Sequence, residues 1–144
     1  ERTGAFTVVA KTADIANTVF SQLKSIIRVI YSNPPAHGGA VVTTILTDEE
    51  LRAEWEAEVE AMRNRILAMR KLFVETLQQK GVAMDFNFIE RQNGMFSFSG
   101  LSTEQVIKMR EDSAVYAVNS GRFNVAAMTE GNMDALCEAI ANVV

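Results

Sequence analysis

Residues 47–81, TDEELRAEWEAEVEAMRNRILAMRKLFVETLQQKG, decide how the chain is organised. Leu51, Trp55, Val59, Met62, Ile66, Met69, Phe73 and Leu77 recur every three or four positions, the period of one helical face. Thr47 and Glu50 form a capping box at the start, and Gly81 supplies a stop after Lys80. Early turns are acidic (Asp48, Glu49, Glu50, Glu54, Glu56, Glu58, Glu60) and later ones basic (Arg63, Arg65, Arg70, Lys71, Lys80), which suits the helix dipole. About 33 residues at the helical rise reach ~50 Å, and a helix of that length commonly bridges two domains. Its charge run reads as a solvated face, not a binding patch.

Before this helix the chain mixes apolar elements with a break. Ala5, Phe6, Thr7, Val8 and Val9 are too uniformly apolar for a half-exposed strand and predict a strand of a covered sheet over residues 4–10. Thr12 and Asp14 can cap a helix to about residue 31, with Ile15, Val19, Phe20, Leu23, Ile26, Ile27 and Ile30 on one face and Arg28 near its end. Residues 31–40 hold Pro34, Pro35, Gly38 and Gly39, which exclude continued helix and permit close backbone approach. A short helix over residues 39–46 follows.

After Gly81 the period changes. Residues 85–89 alternate weakly and residues 94–100 cleanly, with a glycine at each end of the second run. Ser102 or Thr103 caps a helix to about residue 111. Strands over residues 115–118 and around Arg122 come next, then a helix over residues 132–143. The expected class is α/β with an α+β small domain: the long helix packed with a small mixed sheet and helices, plus a remnant strand and helices of a larger domain. The expected domains are residues 1–46 and residues 47–144.

Composition narrows the function. The 144 residues carry a net charge of -4 with dispersed basic residues, which argues against nucleic-acid binding. No apolar run is long enough to span a bilayer, and no basic-then-apolar signal opens the chain. Cys137, the single cysteine, lies at helical spacing with Met133, Leu136 and Ile140 and reads as core filler, so a reducing cytoplasm is the default. His37 is the one histidine, which leaves no metal site of useful spacing. Neither a nucleophile elbow nor a glycine-rich phosphate loop occurs.

What remains is three arginines beside special backbone: Arg2 before Gly4, Arg28 before the proline loop, and Arg122 after Gly121. Arg122 falls within residues 114–128, a stretch that reads as buried strand. A guanidinium there must either pair with an acid of the fold or meet an external anion, and its planar fork fits a carboxylate or phosphate with two parallel hydrogen bonds.

Four stretches carry a resemblance. They are Glu1-Arg2-Thr3-Gly4; Tyr31-Ser32-Asn33-Pro34-Pro35-Ala36-His37-Gly38; residues 92–101, from Gln92 through Phe96 to Leu101; and residues 116–126 around Ser120-Gly121-Arg122-Phe123-Asn124. In order and spacing they closely resemble consecutive blocks of bacterial aspartate and aromatic-amino-acid aminotransferases. These are class I, fold-type I enzymes that use pyridoxal phosphate. The resemblance implies that Arg122 clamps the substrate α-carboxylate. It implies that Arg2 contacts the cofactor phosphate and that Arg28 reaches into a neighbouring subunit's site to hold a second carboxylate. Phe96 would line that pocket and Ser32 sit at its edge, in a homodimer acting on amino acids and 2-oxo acids. The arginine equivalent to Arg28 swings aside for aromatic substrates, so its presence does not choose between the two specificities.

The chain departs from the pattern at the Schiff-base lysine, which the family carries a few residues before the Glu-Arg-x-Gly block. Lys11, Lys24, Lys71, Lys80 and Lys108 match no such position, so the chain alone is expected to be inactive. It has the look of a cut piece, the C-terminal part of a transaminase. Two alternatives stay open: a stand-alone, non-catalytic carboxylate-binding or interaction module, and a fold-type I lyase.

Overall fold

The computed structural model describes residues 2–33 and 36–144. The chain is α/β and mostly helical, and it divides into two compact units, Glu1–Ala57 and Glu58–Val144.

In the first unit, residues 4–10 form no strand, contrary to expectation. A strand needs partners for its N–H and C=O groups, and none of the described residues supplies them. Phe6 and Val9 are accordingly 78% and 93% exposed. Helix α1 (Ala13–Ile30) opens on Thr12, whose Oγ1 accepts the Ile15 N–H at 3.3 Å. Asp14 in its first turn and Arg28 in its last both suit the dipole. None of its residues is buried, although its apolar positions share one face. The turn that ends it places Ser32 at φ 70°, with the Tyr31 and Ser32 N–H groups both on the Ile27 carbonyl. The proline break at Pro34 and Pro35 lies outside the described residues. Helix α2 (Ala36–Thr47) begins earlier than expected and takes His37, Gly38 and Gly39 into its first turn, so the glycines are not in a loop.

Helix α3 (Glu49–Gln79) is the longest element. Its cap is Asp48, not Thr47: Asp48 Oδ1 accepts the N–H groups of Glu50 and Leu51, each at 3.0 Å. The Thr47 hydroxyl instead donates back to the Thr43 carbonyl at 2.8 Å, as a residue still inside the preceding helix does.

The second unit is built on the last three turns of α3. Met69, Phe73, Val74 and Leu77 are buried there, and the helix stops at Gly81 with φ 73°. Residues 85–89 were expected as strand, yet Asn87–Arg91 is a 3-10 turn. Asp85 Oδ1 accepts the Asn87 N–H at 2.8 Å and starts the turn, and the buried pair Phe86 and Ile89 is spaced by three, the 3-10 period. The sheet is smaller than expected and purely antiparallel: β1 (Phe96–Phe98) pairs with β2 (Arg122–Asn124). Residues 115–118 contribute a single bridge, Val118 to Arg122, and are not a strand.

Helix α4 (Thr103–Ser113) opens on a capping box of Ser102 and Gln105, and α5 (Glu130–Ala141) on one of Thr129 and Asn132. Between β2 and α5, Val125–Ala127 makes a second 3-10 turn, which ends the expected strand through residue 128 early. The core gathers Phe73, Leu77, Ile89, Val106, Met109 and Ile140. Phe73 sits edge-on to Phe86 at 6.0 Å and tilted against Phe123 at 6.5 Å.

The charged face of α3 is not wholly solvated. Arg70 is 1% exposed within the apolar stripe. Arg65 donates to the carbonyls of Ala126 (3.1 Å) and Met128 (2.8 Å). Lys80 bonds Asp134 and Glu138 of α5, each at 2.7 Å.

Truncating Phe73 to Ala should destabilise the second unit by ~3–5 kcal/mol, read as a lowered urea midpoint. A second expectation concerns alkali. Burial pushes the Cys137 thiol up from 9.0 to about 12, and hydrogen bonds to Asp134 and Glu138 hold the Lys80 ammonium above its ordinary value. Both groups keep their protons more firmly in the folded state. The thiol's contribution is therefore complete below pH 9.0 and is lost as pH rises toward about 12. Urea midpoints should fall across that window, and Cys137→Ala should flatten the start of the fall.

Candidate functional site

The two strands set a face by their register. Phe98 lies opposite Arg122, Phe96 opposite Asn124 and Ser97 opposite Phe123. Alternation turns Ser97 and Phe123 inward, where they are 3% and 8% exposed. Phe96, Phe98, Arg122 and Asn124 share the outer face. Arg122 is thus exposed, not buried as its apolar neighbours implied, because strand alternation gives it the opposite side from Phe123 and the start of a turn follows at Val125. Its guanidinium carbon lies 4.9 Å from the centre of the Phe96 ring. Among the described residues no carboxylate pairs with it. Of the two options open for this arginine, pairing with an acid of the fold is not the one observed.

The backbone beneath Arg122 is held tightly. Gly121 has φ 73°, and a Cβ placed there would lie 2.8 Å from the Leu101 carbonyl oxygen and 3.1 Å from Ser99 Oγ. Ser99 is fully buried; its hydroxyl donates to the Gly121 carbonyl at 2.8 Å and accepts the Leu101 N–H at 3.2 Å. The Ser99 N–H donates to that same Gly121 carbonyl at 3.0 Å. Only a glycine fits this approach.

The expected site residues divide between the units. Arg122 and Phe96 meet in the second. Arg2, Arg28 and Ser32 belong to the first, where Arg28 and Ser32 flank the C-terminal end of α1 and all three are exposed. Ser99, Arg65 and Arg70 were not anticipated as supports of the site. For Arg70 the signal was there: it falls between Met69 and Phe73 in the buried stripe of α3.

Comparison with known proteins identifies the family. Residues 1–140 match the family described as aminotransferase class I and II. The chain is 59% identical over 144 residues to the aspartate aminotransferases of Salmonella typhi and Escherichia coli, covering all of itself and 36% of each relative. A crystal structure of the aromatic-amino-acid aminotransferase from Burkholderia pseudomallei, covalently bound to pyridoxal phosphate, superposes with a TM-score of 0.86 at 50% identity. That match covers 94% of this chain and 34% of the other. The chain belongs to the class I and II aminotransferases.

This aminotransferase chain spans about 36% of the length of the curated relatives it matches. Its described residues offer little nucleophilic chemistry of their own. Lys80 is doubly ion-paired and its proton is held more firmly than usual, the reverse of an activated amine. Lys24 lies 4.3 Å over the Phe20 ring, and Lys71 pairs with Glu75 at 3.7 Å. Cys137 is buried and protonated, with Sγ 3.8 Å from the Phe73 carbonyl. No cluster of three or more His, Cys, Asp or Glu among the described residues could hold a metal ion. Gly121→Ala forces a side chain into both the left-handed region and the Leu101 carbonyl. It should lower the unfolding free energy of the second unit by at least ~1–3 kcal/mol, measured in urea.

Proposed function

We propose that this chain forms the substrate-carboxylate side of a pyridoxal-phosphate-dependent aminotransferase that moves amino groups between aspartate or aromatic amino acids and 2-oxo acids. The observation that carries the reading is Arg122: an exposed guanidinium without an acid partner among the described residues, seated on Phe96, its backbone locked by Gly121 and Ser99. A fork fixed in this way meets a carboxylate with two parallel hydrogen bonds and little loss of side-chain freedom. Arg122 would hold the α-carboxylate common to every amino-acid substrate. Phe96 would form the apolar wall beside it, with Ser32 at the pocket's edge.

Residues 1–46 would belong to a larger cofactor-binding domain, and residues 47–144 comprise the linking helix and small domain. Arg2 would hold the cofactor phosphate. Arg2 is exposed, and a Cβ added at Gly4, two residues on, meets nothing within 4 Å, so the backbone there is open to approach. When bound, the cofactor supplies the electrophilic carbonyl and the electron sink that amino transfer needs. Arg28, exposed in the last turn of α1, would reach the second carboxylate of a dicarboxylic substrate in the neighbouring subunit of a homodimer. A cytoplasmic setting accords with a lone, reduced, buried cysteine. None of the five lysines stands at the position where the family carries its Schiff-base lysine, so the amine that engages the cofactor would not be among these residues, and the isolated chain would not turn over.

The test is substrate kinetics on the native gene product. Arg122→Ala should lower kcat/KM for aspartate and for an aromatic amino acid alike, by about a hundredfold. Arg28→Ala should do so for aspartate far more than for the aromatic substrate. Equal losses for both substrates in Arg28→Ala would refute the division of roles.

A further inference from the structure

Among the described residues Arg70 is the largest fully buried side chain, and no carboxylate pairs with its charge. Its Nη1 donates to the Ile89 carbonyl at 3.1 Å and to the Ser97 hydroxyl. Its Nη2 donates to the carbonyls of Gly94 at 2.7 Å and Phe96 at 3.3 Å. The Nε–H has no partner among the described residues. A guanidinium taken out of water against neutral acceptors alone is a costly way to fill a core, where an apolar side chain would pack at no such expense. What the fork does, and an apolar side chain cannot, is grip backbone at several fixed points.

Those points are placed where the small sheet needs them. β1 has three residues and one neighbour, β2, so its own ladder does little to hold it in place. Three of the four acceptors lie on the run into β1 or within it, and the fourth lies on the 3-10 turn before it. Phe96, whose carbonyl is gripped by Nη2, carries the ring on which the Arg122 guanidinium rests at 4.9 Å. Ser97, whose hydroxyl takes Nη1, lies opposite Phe123, the residue after Arg122. The chain of contact runs from α3 through Arg70 to β1 and on to β2.

We infer that Arg70 is a positioning residue for the carboxylate clamp: through the Gly94–Ser97 backbone it sets where Phe96 and Arg122 meet the substrate. This rests on the reading of Arg122 as that clamp. A lysine retains the charge but not the fork, and cannot hold two acceptors at each of two fixed nitrogens.

The experiment uses the native gene product, with active sites counted by cofactor absorbance and kinetics on aspartate and an aromatic amino acid. Arg70→Lys should raise KM for both substrates about tenfold while kcat stays within about threefold, as displacement of a binding group does. In an Arg122→Ala background it should raise KM no further, because the group it positions is gone. A merely structural arginine would lower the count of active sites and leave KM per site unchanged. Unchanged KM in folded Arg70→Lys, or effects that multiply in the double variant, overturn the inference. Should Arg70→Lys fail to fold, Ser97→Ala decides: it removes one acceptor and should raise KM about two- to threefold, and an unchanged KM overturns the inference. Arg122→Ala with unaltered KM would instead refute the clamp itself, and the positioning role with it.

Discussion

The close approach of Gly121 to Leu101 is the contact on which the site depends. With 2.8 Å between a virtual Cβ and a backbone oxygen, the position admits no side chain, so the chain entering β2 runs against the strand-to-helix loop. Ser99 then closes the gap with both its N–H and its hydroxyl on the Gly121 carbonyl. A buried hydroxyl that both donates and accepts leaves no polar group unpaired, which makes the junction rigid. The next residue is Arg122. Its guanidinium rests on the Phe96 ring at the exposed face while its Cα is held in place, and that combination suits recognition of a small anion.

Support for this junction comes from α3, whose second half carries arginines that grip carbonyl groups. Arg65 holds the turn after β2 through the Ala126 and Met128 carbonyls, and Arg70 holds the run into β1. A two-stranded sheet of three-residue strands is marginal by itself. Here a long helix does the work that further strands do in a larger sheet, anchoring each strand from the side by charged hydrogen bonds. Phe73 and Leu77 lie on the same face and anchor the apolar half of the unit, so one helix face carries both the packing and the polar anchoring.

The first unit has a different character. α1 buries none of its residues, and Ile15, Phe20, Ile26, Val29 and Ile30 are exposed. The sequence pattern that predicts burial is present, while the surface it would pack against is not among the described residues. The same holds for Phe6 and Val9: an apolar segment reads as strand from composition, but a strand exists only where another offers its hydrogen bonds.

Caps, periods and stops were legible because they are local. Thr12 and Ser102 each act within three residues, and the 3.6 period of α3 repeats within any two turns. Even locally, close competitors can exchange roles. Asp48 displaced Thr47 as cap, since the preceding helix claimed Thr47, and an Asp85 turn displaced a weak strand. The block around Arg122 was also legible, as residue types in a specific order. Sequence by itself thus determined the helices, the family and the candidate arginines. Tertiary structure alone decided that Arg122 is exposed while Arg70 is buried, and that Ser99 locks Gly121. These outcomes rest on partners 61 positions apart for Arg65, 27 for Arg70 and 22 for Ser99. No local period carries such pairings; they follow from which face each strand turns inward once the helix behind it is in place.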